Sequence, residues 1–258
     1  MLNKKSITAL LLLTIALCSF VVPQKQNLNI VFIGDSITHG ARLKDFTIQA
    51  PPVFATGYLQ KQPGFGNIQF SNQGVSGYTT VDFLPATHKA YAKVIAAANA
   101  FYNDKEATLV FSIMLGTNDS AISGPNGAPV SPQNYKANLK TIADSLLARY
   151  PECKIIINRP IWYSTNTANG HSTYMQEGLA RLQSYFAEID ALIREYKSTH
   201  PKHVLRGDKA GFKYFEKNYL TDLGDEKGPH GTFYLHPNPK GAIALGNMWG
   251  KAIARALN

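Results

Sequence analysis

Asn29-Ile30-Val31-Phe32-Ile33-Gly34-Asp35-Ser36-Ile37-Thr38-His39-Gly40 is the stretch from which the rest of the chain can be read. Its run of β-branched and aromatic residues has the pattern of a buried strand. Gly34-Asp35-Ser36 then turns tightly and delivers a serine to the start of a helix. A serine hydroxyl is a weak nucleophile alone. The turn acquires chemical meaning only if a base, oxyanion donors and a substrate pocket come from further along the chain.

A length of 258 residues, with 45% hydrophobic content, suits one sizeable α/β domain. Residues 1–22 have the layout of a signal peptide, with Lys4 and Lys5 ahead of an apolar run from Ile7 to Val22. The expectation is cleavage after Cys18, export to the periplasm or the exterior, and a single domain over 23–258. Acylation of Cys18 in a lipoprotein is the alternative, disfavoured by the bulky Leu17 before it. No other stretch reaches the length of a membrane span. Without Cys18, Cys153 stands alone, which leaves no internal disulfide and suits a small core residue. The formal charge of +9 falls to about +7 without the two signal lysines. That balance is compatible with acidic glycans. No Lys/Arg block exceeds two residues and no nucleic-acid motif occurs, so nucleic acid is not an expected partner.

Downstream, Phe54 to Gln60 reads as a short helix, and Ile68 to Asn72 as a second strand running into Gln73-Gly74-Val75-Ser76-Gly77. Thr80 to Phe101 reads as a helix whose regular part lies beyond Pro85. Thr108 to Leu115 is a continuous apolar strand closed by Gly116-Thr117-Asn118-Asp119. Ser131 and Pro132 open a helix that Pro151 stops. Lys154 to Asn158 is a fourth strand, Tyr174 to Lys197 a long amphipathic helix, Val204-Leu205 a fifth strand, and Ala242 to Ala256 the last helix. The stretch from Asp208 to Gly228 has no clear period. Strands alternating with helices imply a three-layer α/β/α fold around a parallel sheet of about five strands. Function is then expected at the carboxyl ends of the strands.

Three turns therefore meet at one rim. Ser36 brings the candidate nucleophile and, at a helix start, a free backbone N–H. Gly74 offers a second N–H without a side chain in the way, and Asn118 a side-chain amide. Together they form a candidate oxyanion hole. Of the seven histidines, His236 in Leu235-His236-Pro237-Asn238 sits before the last helix and is the candidate base.

These four segments, in this order, resemble the SGNH (GDSL-type) hydrolase superfamily, and the resemblance spans essentially the whole mature chain. It implies a flavodoxin-like sheet, Ser36 as nucleophile, His236 as base, and Ser36, Gly74 and Asn118 as oxyanion donors. It also implies no metal or organic cofactor. Family members usually carry Asp three residues before the histidine, where this chain has Phe233. A backbone carbonyl, favoured slightly, or Asp222 or Asp225 is then expected to steady His236, with a weakened enzyme as a further alternative.

Candidate substrate contacts are His39 on the rim, Arg42, and Arg159 and Trp162 on the loop beyond the fourth strand. The continuation Gly40-Ala41-Arg42-Leu43 is similar to that of carbohydrate and sialate O-acetylesterases. A surface ion pair for Arg42 and packing for Trp162 are the plainer readings. The expected function is a secreted serine esterase removing O-acetyl groups from a glycan, or from a small acetyl ester, through an acetyl-enzyme. The alternatives are a lipase-like or lysophospholipid esterase and a non-catalytic glycan-binding module. Oligomeric state is not legible.

Overall fold

The structure is a computed structural model that describes residues 25–258. The expected signal peptide and Cys18 lie outside the described residues. The opening apolar run is strand β1 (Gln26–Gly34), an internal strand of a five-stranded parallel sheet with β2 (Phe65–Gly74), β3 (Ala107–Met114), β4 (Lys154–Ile157) and β5 (Val204–Arg206). The strand order is β2-β1-β3-β4-β5, the flavodoxin-like arrangement. Parallel strands need crossovers, and the helices that supply them cover both faces.

Alternate residues of β1 feed the two cores. Val31 and Ile33 pack with Phe111, Ile113, Ile155 and Ile157 beneath α4 (Ala90–Tyr102), α5 (Pro132–Arg149) and α6 (Met175–Thr199). Leu28, Ile30 and Phe32 face the other side, with α3 (Pro51–Gln60), α7 (Gly211–Asp222) and α8 (Pro239–Leu257). On that side Trp249 of α8 is 1% exposed and stacks on Phe32, with ring centroids 6.0 Å apart. Cys153 is buried at the start of β4. Among the described residues, no helix is long and apolar enough to cross a membrane.

Several boundaries differ from the sequence expectation. Helix α3 starts at Pro51, because proline fits the first helical turn, where no N–H is needed. Residues 80–87 form two short 3₁₀ turns, Thr80–Phe83 and Pro85–Thr87, so the regular helix begins only at Ala90. The stretch without a clear period holds α7 and then β6 (Leu223–Gly228). The expected loop around His236 is β7 (Gly231–Pro237), which pairs antiparallel with β6. This hairpin is a separate two-stranded sheet.

The register of the main sheet levels its carboxyl ends, with Gly34 beside both Gly74 and Met114. Ser36, the loop after Gly74 and Asn118 consequently emerge at one height. Trp249→Ala is expected to destabilise the chain by about 3–5 kcal/mol, since it empties a fully buried indole site against β1. Urea midpoints of the purified protein check this; a loss below about 1 kcal/mol would contradict the packing described.

Candidate active site

Ser36 opens the one-turn helix α1 (Ser36–His39), and Asp35 caps it by accepting the Ile37 N–H on Oδ1 at 2.9 Å. At the first helical position the Ser36 N–H has no partner within the helix. The Ser36 hydroxyl lies 2.9 Å from His236 Nε2, across 200 residues of sequence. His236 Nδ1 lies 2.7 Å from Oε1 of Glu226. An ionised carboxylate only accepts, so Nδ1 carries the proton and Nε2 is left to accept from the serine. Ser36, His236 and Glu226 thus form a continuous hydrogen-bonded chain, the arrangement that nucleophile, base and acid require.

Glu226 replaces the expected partners of His236. It lies on β6 opposite Phe233 of β7, in the hairpin register Glu226 to Phe233 and Asp225 to Tyr234. Phe233, three residues before His236, is buried in the core at 1% exposure. Successive strand residues point to opposite faces, so Asp225 faces away from Glu226. Asp222 is occupied by the Tyr214 hydroxyl at 2.6 Å and Lys240 Nζ at 2.8 Å. No backbone carbonyl is needed. The carboxylate comes from the neighbouring strand instead of from three residues upstream. Burial raises the Glu226 pKa, but the His236 hydrogen bond and charge and the Arg42 guanidinium outweigh it and hold the carboxyl below its ordinary range.

Asn118 is fixed from both ends of its amide. Nδ2 donates to the Tyr78 carbonyl at 2.9 Å, and Oδ1 accepts from the Tyr174 hydroxyl at 2.7 Å. One amide hydrogen therefore remains for a ligand. Gly74 differs from expectation. Its N–H donates to Asn72 Oδ1 at 3.0 Å, and a Cβ there would collide with the backbone of Thr38 and His39. Glycine at this position lets β2 approach α1. The loop continues to Gly77, which has φ of +80° and open space where a Cβ would project. Among the described residues its N–H makes no hydrogen bond. Tyr78, held by Asn118, follows directly.

The four candidate substrate contacts separate. His39 is half-buried on the rim and packs against Phe46, with ring centroids 4.4 Å apart. Arg42 is near the site, with Nε 3.4 Å from Glu226 Oε2 and the side chain largely exposed. Arg159 is held by Asp190 at 2.8 Å and lies over the Phe186 ring, in an ion cluster with Arg206. Trp162 is 9% exposed and packs on Tyr219, 5.1 Å between centroids. Arg159 is structural in this arrangement, whereas Trp162 lines a surface cleft with Tyr219 and Tyr234.

Two buried carboxyls brace the site. Asp119 accepts from the backbone N–H of Thr80 at 3.0 Å and from its hydroxyl, tying the Asn118 turn to the residues beyond Gly77. Burial pushes its carboxyl up to about 7 against those bonds. Burial likewise pushes Asp35 up to about 6, against the Ile37 N–H, the charge of His236 and Thr117.

The layout is an α/β fold with Ser36 at a strand-to-helix turn, hydrogen-bonded to a histidine that a carboxylate holds. The chain belongs to the GDSL-like Lipase/Acylhydrolase family, whose pattern matches residues 32–243, and it is an ester hydrolase of that family. It is similar in structure to a carbohydrate acetylesterase from Sinorhizobium meliloti, at 16% identity over 88% of this chain and 99% of the other, TM-score 0.59. A catalytic mutant of an acetylxylan esterase from Geobacillus stearothermophilus matches at 20% identity over 92% and 97%, TM-score 0.58. An aryl esterase from M. smegmatis matches at 15% identity over 89% and 100%, TM-score 0.58. These likenesses support the fold. No curated protein sequence matches the chain.

Asp35→Asn keeps the capping acceptor but removes the ionisable group. A carboxyl near 6 when folded and 3.8 when free binds protons more readily in the fold. The protein therefore loses stability as pH rises through that interval, and keeps the deficit above it. The variant should gain about 2–3 kcal/mol relative to the parent between pH 4 and pH 8. Urea midpoints at both pH values measure this; parallel pH dependence in the two proteins would contradict it.

Proposed function

We propose that the chain is an exported serine esterase that removes acetyl groups from a glycan. The observation that carries the esterase chemistry is the Ser36–His236–Glu226 chain, with hydrogen bonds of 2.9 and 2.7 Å. Ser36 Oγ attacks the acetyl carbonyl while its proton passes to His236 Nε2. Glu226 stabilises the resulting imidazolium and keeps its ring oriented. The carbonyl oxygen becomes an oxyanion, held by the Ser36 N–H, the free hydrogen of the Asn118 amide and the Gly77 N–H, which takes the part expected of Gly74. Collapse breaks the bond to the sugar oxygen, which leaves with the proton from His236. Water then attacks the acetyl-enzyme by the same path and regenerates Ser36.

A carbohydrate leaving group is supported by the cleft beside the Gly77 loop. It has a volume of about 310 Å³ and is lined by Ser76, Tyr78, Asp82, Lys89, Asn126 and His171 among others. Such a lining suits a hydroxyl-rich alcohol. The names of the acetylesterases of similar fold agree with this reading. Export rests on the character of residues 1–22 alone. A lipase-like reading has one feature in its favour: Phe46 and Ile48, 45% and 63% exposed, lie near the rim, with Phe46 against His39.

Acetate release from acetylated xylan, pectin, sialic acid and peptidoglycan, beside an acyl-chain-length series, tests the substrate. Preference for acetyl over longer acyl groups is expected; rates rising with chain length would favour the lipase-like reading. Ser36→Ala should abolish nearly all hydrolysis of p-nitrophenyl acetate, and near-parental turnover would sink the mechanism. Glu226→Gln keeps the side-chain shape but loses the charge and allows the wrong imidazole tautomer. Turnover should drop by about 10³–10⁴, whereas an effect confined to KM would argue that Glu226 does not act through His236.

A further inference from the structure

Arg42 lies two residues beyond Gly40, the residue that ends α1, and has φ of +72°. This left-handed conformation is unfavourable for a residue with a Cβ and would be free for glycine. Strained backbone at the mouth of a site, carrying a long cationic side chain, is a pointer to function. The conformation accompanies a specific contact. Arg42 Nε lies 3.4 Å from Glu226 Oε2, while the other oxygen of the same carboxylate, Oε1, holds His236 at 2.7 Å. The Glu226 side chain is 10% exposed and that of Arg42 62%, so a partly buried charge is met by one that remains largely in water.

We infer that Arg42 is a positioning residue for the catalytic chain: it steers the free oxygen of Glu226 and offsets part of the charge that this carboxylate presents to His236. The inference rests on the hydrolytic reading above. An unopposed Glu226 carboxylate favours the protonated imidazole, and an imidazolium cannot take the serine proton. The Arg42 charge opposes that pull, so removing it should make the reaction more sensitive to acid. The other charged or titratable groups acting on this pair are Asp35, which interacts with His236 from the start of α1, and Tyr174, which interacts with Glu226 and Asp35 from the entry to α6. Neither touches Glu226 Oε2.

The strained backbone supplies its own control. Arg42→Gly removes the guanidinium and relaxes the turn, so this variant should fold at least as stably as the parent. Arg42→Gln keeps reach without charge, and Arg42→Lys keeps charge without the planar fork. Two rates are measured across pH for all four proteins: kcat/KM for p-nitrophenyl acetate and labelling of Ser36 by a fluorophosphonate. In the Gly and Gln variants the acid limb of both profiles should move to higher pH by about half a unit, or ~3-fold in rate below the limb, and less at high salt. The Lys variant should recover most of the shift.

Acid limbs of the Gly and Gln variants that superimpose on the parent overturn the inference. So does a loss of activity that is uniform across pH and follows the melting temperature, the mark of a purely structural residue. A parent protein that neither hydrolyses the ester nor labels at Ser36 overturns the hydrolytic reading together with this one. A labelled parent with unmoved limbs overturns this one alone.

Discussion

Strand β1 is hydrogen-bonded on both sides, and its register is the constraint on which the site depends. Gly34 is level with Gly74 on one neighbour and with Met114 on the other. A slip of one residue along either edge would move a whole loop by more than 3 Å and turn its side chains to the opposite face. The serine turn, the Gly77 loop and the Asn118 turn hold their relative positions because the strands beneath them cannot slide. The two cores enforce this, since Val31 and Ile33 are committed to one face and Ile30 and Phe32 to the other.

Above that sheet, the polar network does the finer alignment. Asn118 is held by a backbone carbonyl and a tyrosine hydroxyl, and Asp119 ties the same turn to Thr80. Asp35 caps the helix that presents Ser36. Each of these buried groups costs stability by desolvation. Each also removes a degree of freedom from an atom that must be in place before the ester arrives. The raised pKa values of Asp35 and Asp119 express that cost.

The hairpin β6–β7 stands outside the main sheet, yet it carries both His236 and the carboxylate that holds it. Placing His236 and Glu226 on adjacent antiparallel strands allows the acid to be ten residues away in sequence and 2.7 Å away in space. The position three residues before His236 is then released to the core, where Phe233 fills it. Arg42 joins this arrangement from the loop after α1, so the nucleophile turn and the hairpin are connected at both Ser36 and Glu226.

The sequence by itself determined the alternation of strands and helices, the parallel sheet, the serine turn and the histidine before the last helix. Long apolar runs and glycine turns are local patterns and survive without knowledge of neighbours. It also offered a signal for the hairpin, since Gly228-Pro229-His230-Gly231 separates two short runs, but mixed polar composition hid the period. Only the tertiary structure decided which carboxylate steadies His236, whether the N–H of Gly74 is free, and which way Arg42, Arg159 and Trp162 turn. Those are contacts between residues distant in sequence, and they depend on strand register and on which hydrogen bonds are already made. A linear pattern of residue types records neither.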